Sequence, residues 1–241
     1  MKWEDWQPFY QEIVEKLGLD SEQDRIATDI LSELLSLTDH VSPITKLETI
    51  IRNKTVVICG TGPSLIEHIE LIKSNSDYED SIFIAADGAV SALLELNLTC
   101  DIIVTDLDGS REDFLNMVER NAIPIVHAHG DNISALRDVV PRLTQVLGST
   151  QVEPKSNVFL WGGFTDGDRA CYLASHYSPK RLVLAGMDFG NVVGRWSKPG
   201  HSENFPASER KIAKLSIAQD LLSNLWKTTK IDYNFLGKRK L

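Results

Sequence analysis

Lys54-Thr-Val-Val-Ile-Cys59-Gly-Thr-Gly-Pro-Ser64 decides how the rest of the chain is to be read. Residues 55–59 are a β-branched run without polar alternation, the pattern of a strand buried on both faces of a parallel sheet. Glycines and a proline turn the chain, and a helical pattern then runs from about Ser64 to Ser74. The same unit recurs. Strands are expected at 81–86, 100–105, 124–127, 143–147, 157–161 and 181–185, and helices at about 89–96, 111–121, 134–141, 167–176 and 207–226. This alternation predicts an α/β fold, a mostly parallel, doubly wound sheet with helices on both faces and right-handed crossovers.

Outward from that core, residues 1–53 read as helical. Trp6, Phe9, Tyr10, Ile13, Val14 and Leu17 recur at three- and four-residue steps, Gly18 ends the pattern, and Asp20 or Ser21 can cap a second helix. We therefore expect a helical N-terminal subdomain (1–53) ahead of an α/β catalytic domain (54–241) that ends in a long C-terminal helix. A homodimer is the expectation such flanks raise. The tail Gly237-Lys-Arg-Lys240 reads as a solvated terminus.

A net charge of -9 argues against a nucleic-acid partner, because a phosphate backbone rewards the opposite sign. It leaves room for a nucleotide in a local cationic or metal-bearing pocket. The cysteines (Cys59, Cys100, Cys171) lie in or beside apolar segments and read as buried thiols. No apolar run reaches the roughly 18 residues needed to span a bilayer, and the acidic, amphipathic first segment lacks a signal-peptide core. The expectation is a cytoplasmic protein without membrane contact.

In a doubly wound sheet, ligands bind beyond the carboxyl ends of the strands. Here those ends carry Gly60-Thr-Gly-Pro-Ser64, Asp87-Gly88, Asp106-Leu-Asp108-Gly109, His127-Ala-His129-Gly-Asp131-Asn132, Gly162-Gly-Phe-Thr-Asp166-Gly-Asp168 and Gly186-Met-Asp188-Phe-Gly190. Gly60, Thr61, Gly62 and Ser64 form either an anion cradle at a helix start or a tight capped turn. Asp106 and Asp108, two residues apart, face one way in an extended segment, which suits Mg²⁺; the alternative is a pair of solvated turn aspartates. Asp101 faces the other way and reads as structural. Asp87 and Asp166 sit where a turn or a helix dipole also favours a carboxylate. The histidines lack zinc-like company and suit substrate or phosphate hydrogen bonds better, with His127 alternatively a satisfied core residue. Trp161 is either a stacking face or a core residue. Arg169, Arg195, Lys198, Lys211 and Lys214 are the candidate cations, and Gly194–His201 is either a closing loop or a plain connection.

Taken in order, Ala86-Asp-Gly-Ala89, Asp101-Ile-Ile-Val-Thr-Asp106-Leu-Asp108 and Thr165-Asp166-x-x-Arg169 resemble the thiamine pyrophosphokinase pattern. Gly109 stands where that family has serine, and Arg169 where it has lysine. The blocks Gly-Thr-Gly-Pro-Ser, Thr-Asp-Leu-Asp-Gly, His-Ala-His-Gly-Asp-Asn, Gly-Phe-Thr-Asp-Gly-Asp-Arg and Gly-Met-Asp-Phe-Gly are more similar to the archaeal 6-hydroxymethyl-7,8-dihydropterin diphosphokinases of the MptE-like family, over roughly residues 45–230. The resemblance implies transfer of a diphosphoryl group from ATP to the pterin hydroxymethyl, with AMP released, and Mg²⁺ as cofactor. It implies Asp106 and Asp108 as principal metal ligands, with Asp87 and Asp166 as supporting ones. The 60–64 loop and Arg169 would face phosphates, Asp131 or Asp166 would orient the acceptor hydroxyl, and His129, Asn132 and Trp161 would contact the pterin. Two rivals predict otherwise: a nucleotide-sugar glycosyltransferase of the same superfamily needs no ATP, and a nucleotide sensor binds without turnover.

Overall fold

The computed structural model describes residues 1–37 and 42–237, so the basic stretch 238–240 lies outside it. Three helices come first, α1 (Trp3–Leu17), α2 (Ser21–Leu37) and α3 (Ile44–Ile51). Asp20 starts α2, its Oδ1 accepting from the amides of Glu22 and Gln23 at 3.0 and 3.2 Å. The sheet then opens with β1 (Thr55–Cys59), and α4 (Leu65–Lys73) leads to β2 (Ile82–Ala86). There follow α5 (Ala89–Glu95), β3 (Ile102–Thr105), α6 (Arg111–Glu119), β4 (Ile123–Ala128), α7 (Ile133–Val139) and β5 (Leu147–Thr150). After the short β6 (Val158–Phe159) come α8 (Asp166–His176) and β7 (Arg181–Ala185). A two-stranded antiparallel ribbon, β8 (Val192–Val193) with β9 (Phe205–Pro206), precedes α9 (Glu209–Thr228) and β10 (Asp232–Phe235).

Every pairing of the main sheet is parallel, in the order β10-β7-β1-β2-β3-β4-β5-β6. The chain steps outward from β1 to β6, then returns to lay β7 and β10 on the other side of β1. Reversing direction with right-handed crossovers moves the helices to the opposite face. Accordingly α4 to α7 and α2 cover one face, while α1, α8 and α9 cover the other. Val56 and Ile58 point into the second layer and Val57 and Cys59 into the first, which is why β1 shows no polar alternation. All three cysteines are buried and unpaired. Among the described residues no helix is long and apolar enough to cross a membrane.

Besides the short β8–β9 ribbon, which the sequence did not suggest, two strands of the main sheet depart most from the expectation. The one expected at 143–147 runs Leu147–Thr150 instead, because a 3-10 turn at Val140–Arg142 prolongs the preceding connection. Its Gly-Ser-Thr sequence reads as a turn, yet Gly148 lets α2 pack directly on β5, its Cβ position lying 2.8 Å from Leu35 Cδ1. The other, β10, was not expected at all: Asp232-Tyr-Asn-Phe carries the alternation of a half-buried strand, but over only four residues, and its partner β7 lies about fifty residues earlier.

α1 belongs to the second core layer through Trp6, which is fully buried, has its ring centroid 6.4 Å from that of Tyr172 of α8, and donates from Nε1 to Gln151 O at 2.9 Å. Trp6→Ala is expected to cost about 3–5 kcal/mol of stability. Urea denaturation followed by circular dichroism measures it, and a loss below about 1 kcal/mol would mean that α1 is not part of this core.

Candidate active site

The loops at the carboxyl edge of the sheet enclose a cleft of about 400 Å³, within the range of small-molecule sites. At the topological switch between β1 and β7 the two loops are bonded to each other. Gly60 N donates to Ala185 O at 2.8 Å and Gly62 N to Gly186 O at 2.7 Å, while Asp188 Oδ2 accepts from the amide and hydroxyl of Ser64 at 3.0 and 2.6 Å. Only glycine fits at position 62, where a Cβ would run into the Asp188 carboxylate and Gly186 O. The joined loops form one wall of the cleft, which extends from there over the acidic loops that follow β2 to β4.

Asp87, Asp106 and Asp108 converge there, each offering a carboxylate oxygen within 4.8 Å of the others. Asp106 and Asp108 do not stand on an extended segment, since Leu107 between them is left-handed, with φ 67°. The buried Thr105 hydroxyl sets that turn by accepting from Leu107 N at 2.8 Å and donating to Asp87 Oδ1. Asp87 is itself left-handed, at φ 38°, a conformation aspartate tolerates better than most residues.

Asp166, at the first turn of α8, faces the same cleft with Arg169, whose guanidinium donates to it at 3.2 Å and to Gln151 Oε1 at 3.0 Å. Burial, then the Asp106 charge, pushes the Asp166 carboxyl up to about 8 against the pull of Arg169. Burial with the charges of Asp166 and Asp106 also pushes Asp87 well above the carboxylate range, against the Thr105 hydrogen bond. Asp106 goes the other way: burial raises it, but the His129 hydrogen bond and charge, with Arg169 and Lys198, bring it to about 2. His129 Nε2 stands 3.3 Å from Asp106 Oδ2, and Lys198 pairs with Asp108.

The structure brings together Asp87, Asp106, Asp108, Asp166, Asp131, His129, Arg169, Gly60, Thr61 and Gly62 around this cleft. Three other candidates stand elsewhere. Ser64 is held by Asp188 as described. Asn132 is buried and braces the loops, donating to Asp106 O and His127 O at 2.8 and 2.7 Å and accepting from His129 N at 3.1 Å. Trp161 is 8% exposed and packs in the core, 5.3 Å from the Phe159 ring, away from the cleft. Lys198, Lys211 and Lys214 line the cleft, and Lys211 reaches Ser197 Oγ at 3.2 Å. Arg195 instead pairs with Glu95 at 2.7 Å and lies over the Trp196 ring. The 194–201 loop borders the site through Gly194, Ser197 and Lys198. Sequence reasoning missed Asp24, Gln151 and Arg210, which also line it. None sits in a glycine-rich strand-end block, so no local pattern marks them.

The donor set suits a hard divalent cation. Asp106 Oδ1 is enclosed and has no hydrogen-bond partner, an arrangement that costs energy unless a cation completes it. Asp87, Asp106 and Asp108 are the residues that would hold it.

Residues 29–194 match the family described as 6-hydroxymethylpterin diphosphokinase MptE-like. A 6-hydroxymethyl-7,8-dihydropterin pyrophosphokinase of Pyrococcus furiosus is 46% identical over 222 residues, covering 92% of this chain and 93% of its own. A protein of the same name from Methanocaldococcus jannaschii is 41% identical over 244 residues, covering 98% of this chain and 100% of its own. Among solved structures, the MAf glycosyltransferase from Magnetospirillum magneticum AMB-1 aligns at a TM-score of 0.47 and 17% identity, covering 79% of this chain and 34% of that one.

The folded chain keeps a proton on Asp166 that the unfolded chain releases above its ordinary value of 3.8. The contribution of Asp166 to the stability of the metal-free protein is therefore expected to fall as pH rises from about 4 towards about 8. Asp166→Asn should flatten that slope and melt higher than the parent at alkaline pH. Thermal melts in EDTA across this range decide it, and parallel curves for the two proteins would refute the shift.

Proposed function

Since the chain belongs to the MptE-like family of 6-hydroxymethylpterin diphosphokinases, we propose that it transfers the diphosphoryl group of ATP to the hydroxymethyl oxygen of 6-hydroxymethyl-7,8-dihydropterin. In the balanced reaction the acceptor oxygen bonds to the β-phosphorus and the Pα–O–Pβ bridge breaks. Its oxygen leaves with AMP, and the acceptor proton passes to a base or to water. The observation that carries the reading is the convergence of Asp87, Asp106 and Asp108, with the unpartnered Asp106 oxygen, opposite the Gly60–Gly62 loop and beside Arg169.

Such a transfer needs positioning and charge neutralisation more than covalent help from the protein. Mg²⁺ held by Asp106, Asp108 and Asp87 would neutralise phosphate charge and fix the phosphate chain. The Gly60 and Gly62 amides are committed to Ala185 O and Gly186 O, so within this loop it is Thr61, lining the cleft, that we assign to the phosphates. Arg169, with Lys198, Lys211 and Lys214 around the same cleft, opposes the remaining negative charge. We assign orientation of the acceptor hydroxyl to Asp166 in preference to Asp131. Asp166 is largely enclosed beside the acidic triad, whereas Asp131 is exposed at the rim. His129, which lines the cleft and touches Asp106, remains the pterin-contact candidate among the three named from the sequence.

The protein incubated with ATP, Mg²⁺ and 6-hydroxymethyl-7,8-dihydropterin is expected to release AMP, with no release when the pterin is omitted. Asp106→Ala should lower turnover by at least about a hundredfold and abolish the rise in melting temperature that Mg²⁺ gives the parent. Asp166→Asn should impair turnover far more than Asp131→Asn. AMP release with thiamine but not with the pterin would overturn the acceptor assignment, and undiminished turnover in Asp106→Ala would overturn the metal assignment.

A further inference from the structure

A chain of buried hydrogen bonds runs from the N-terminal helices to the cationic side of the site. Tyr10 of α1 donates its hydroxyl to Asp24 Oδ2 of α2 at 2.6 Å, and the same oxygen accepts from Gln151 Nε2 at 2.8 Å. Gln151 Oε1 accepts from Arg169 at 3.0 Å, and Arg169 donates to Asp166 at 3.2 Å. Asp24 Oδ1 takes the amide of Gly130 at 2.8 Å, one residue beyond His129, which touches Asp106. Asp24, Gln151 and Arg169 are 5%, 3% and 7% exposed.

Each oxygen of Asp24 already accepts from groups of this chain. Its effect is on direction. An amide is a donor at one end and an acceptor at the other, and either end of Gln151 fits the space. Only the rotamer with Nε2 on the Asp24 carboxylate leaves Oε1 for the guanidinium. Turned over, Gln151 would set an N–H against Arg169 and an oxygen against a carboxylate. The backbone of Gln151 is fixed as well, by Trp6 Nε1 on its carbonyl at 2.9 Å.

We infer that Asp24 and Gln151 are positioning residues for the transfer reaction: Asp24 locks the Gln151 amide, and Gln151 holds the Arg169 guanidinium where the phosphates are bound. The inference rests on the reading that Arg169 faces phosphates. It makes α1 and α2 working parts of the site, since without them Arg169 keeps only its bond to Asp166, a carboxylate with which the phosphates compete.

The test is a donor–acceptor exchange. Asp24→Asn and Gln151→Glu each disrupt the pair singly. Together they reverse its polarity while leaving an acceptor for Arg169, and the Tyr10 hydroxyl can turn to accept. Each single variant, with Gln151→Leu as a third, is expected to lose kcat on the order of tenfold to a hundredfold while KM for ATP stays within about threefold. The paired exchange should recover at least about tenfold of the loss, with thermal melts correcting for folded fraction. A double variant no better than the product of the singles, or Gln151→Leu turning over like the parent, would overturn the inference. If the parent itself releases no AMP with the pterin, the functional reading fails instead. The positioning claim is then judged by the Arg169 Nε–Hε NMR signal, identified by its loss in Arg169→Lys. Positioning predicts a signal sharp in the parent and broadened in Gln151→Leu, and an unchanged signal refutes it.

Discussion

Carboxylates brought within 4.8 Å of one another repel by about 3–4 kcal/mol per pair at an effective dielectric constant of about 20, and the Asp87–Asp106–Asp108 cluster holds three of them, with Asp166 beside it. The surrounding structure is arranged to tolerate this. Thr105 fixes Asp87 and the Leu107 turn with one hydroxyl, Asn132 ties the Asp106 backbone to the β4 loop, and His129 offsets part of the charge on Asp106. Arg169 and Lys198 supply full positive charges from elements far along the chain. The residual tension appears as protonation: Asp87 and Asp166 are pushed up while Asp106 is held down. Under the proposed function this tension is useful, because a divalent cation and a polyanion would themselves complete the charge balance.

The same demand explains where the cleft lies. Binding the β1 loop to the β7 loop through Gly186 and Asp188 fixes one wall of the crevice at the switch point of the doubly wound sheet. From there the cleft extends over the acidic loops, with the α1–α2 turn and α9 as its other walls. The Gly130 amide on Asp24 ties the β4 loop to α2, so the helical flank and the sheet edge are set together.

Sheet class, strand order along the chain and most of the acidic cluster were legible because they rest on local signals: apolar runs, glycine turns, and carboxylates just after strands. Asp87, Asp106, Asp108, Asp166 and Arg169 all carry such signals. Asn132 and Trp161 carry them too, yet the structure uses Asn132 to bridge backbone carbonyls and Trp161 to fill the core. Whether a polar side chain at a loop faces ligand or backbone depends on a rotamer that neighbours distant in sequence choose. Asp24 and Gln151 were invisible for the complementary reason, since each has an ordinary local context and gains meaning only through a partner more than a hundred residues away. β5 and β10 were obscured because what stabilises them, α2 packing on Gly148 and pairing along β7, is absent from their own composition.

The pairing of β1 with β7, which places Thr55 against Arg181, also has a consequence in time. Synthesis delivers Asp87, Asp106 and Asp108 well before Arg169, Lys198 and Lys214. While the ribosome is still extending the chain, the acidic loops are out and their counter-charges are not, and the central strand lacks one neighbour. Long-range parallel pairing of this kind is slow and leaves strand edges exposed meanwhile. For that interval the acidic loops stand without the cations that later face them, so the order of synthesis makes the unfinished sheet more strongly anionic at this edge than the finished one.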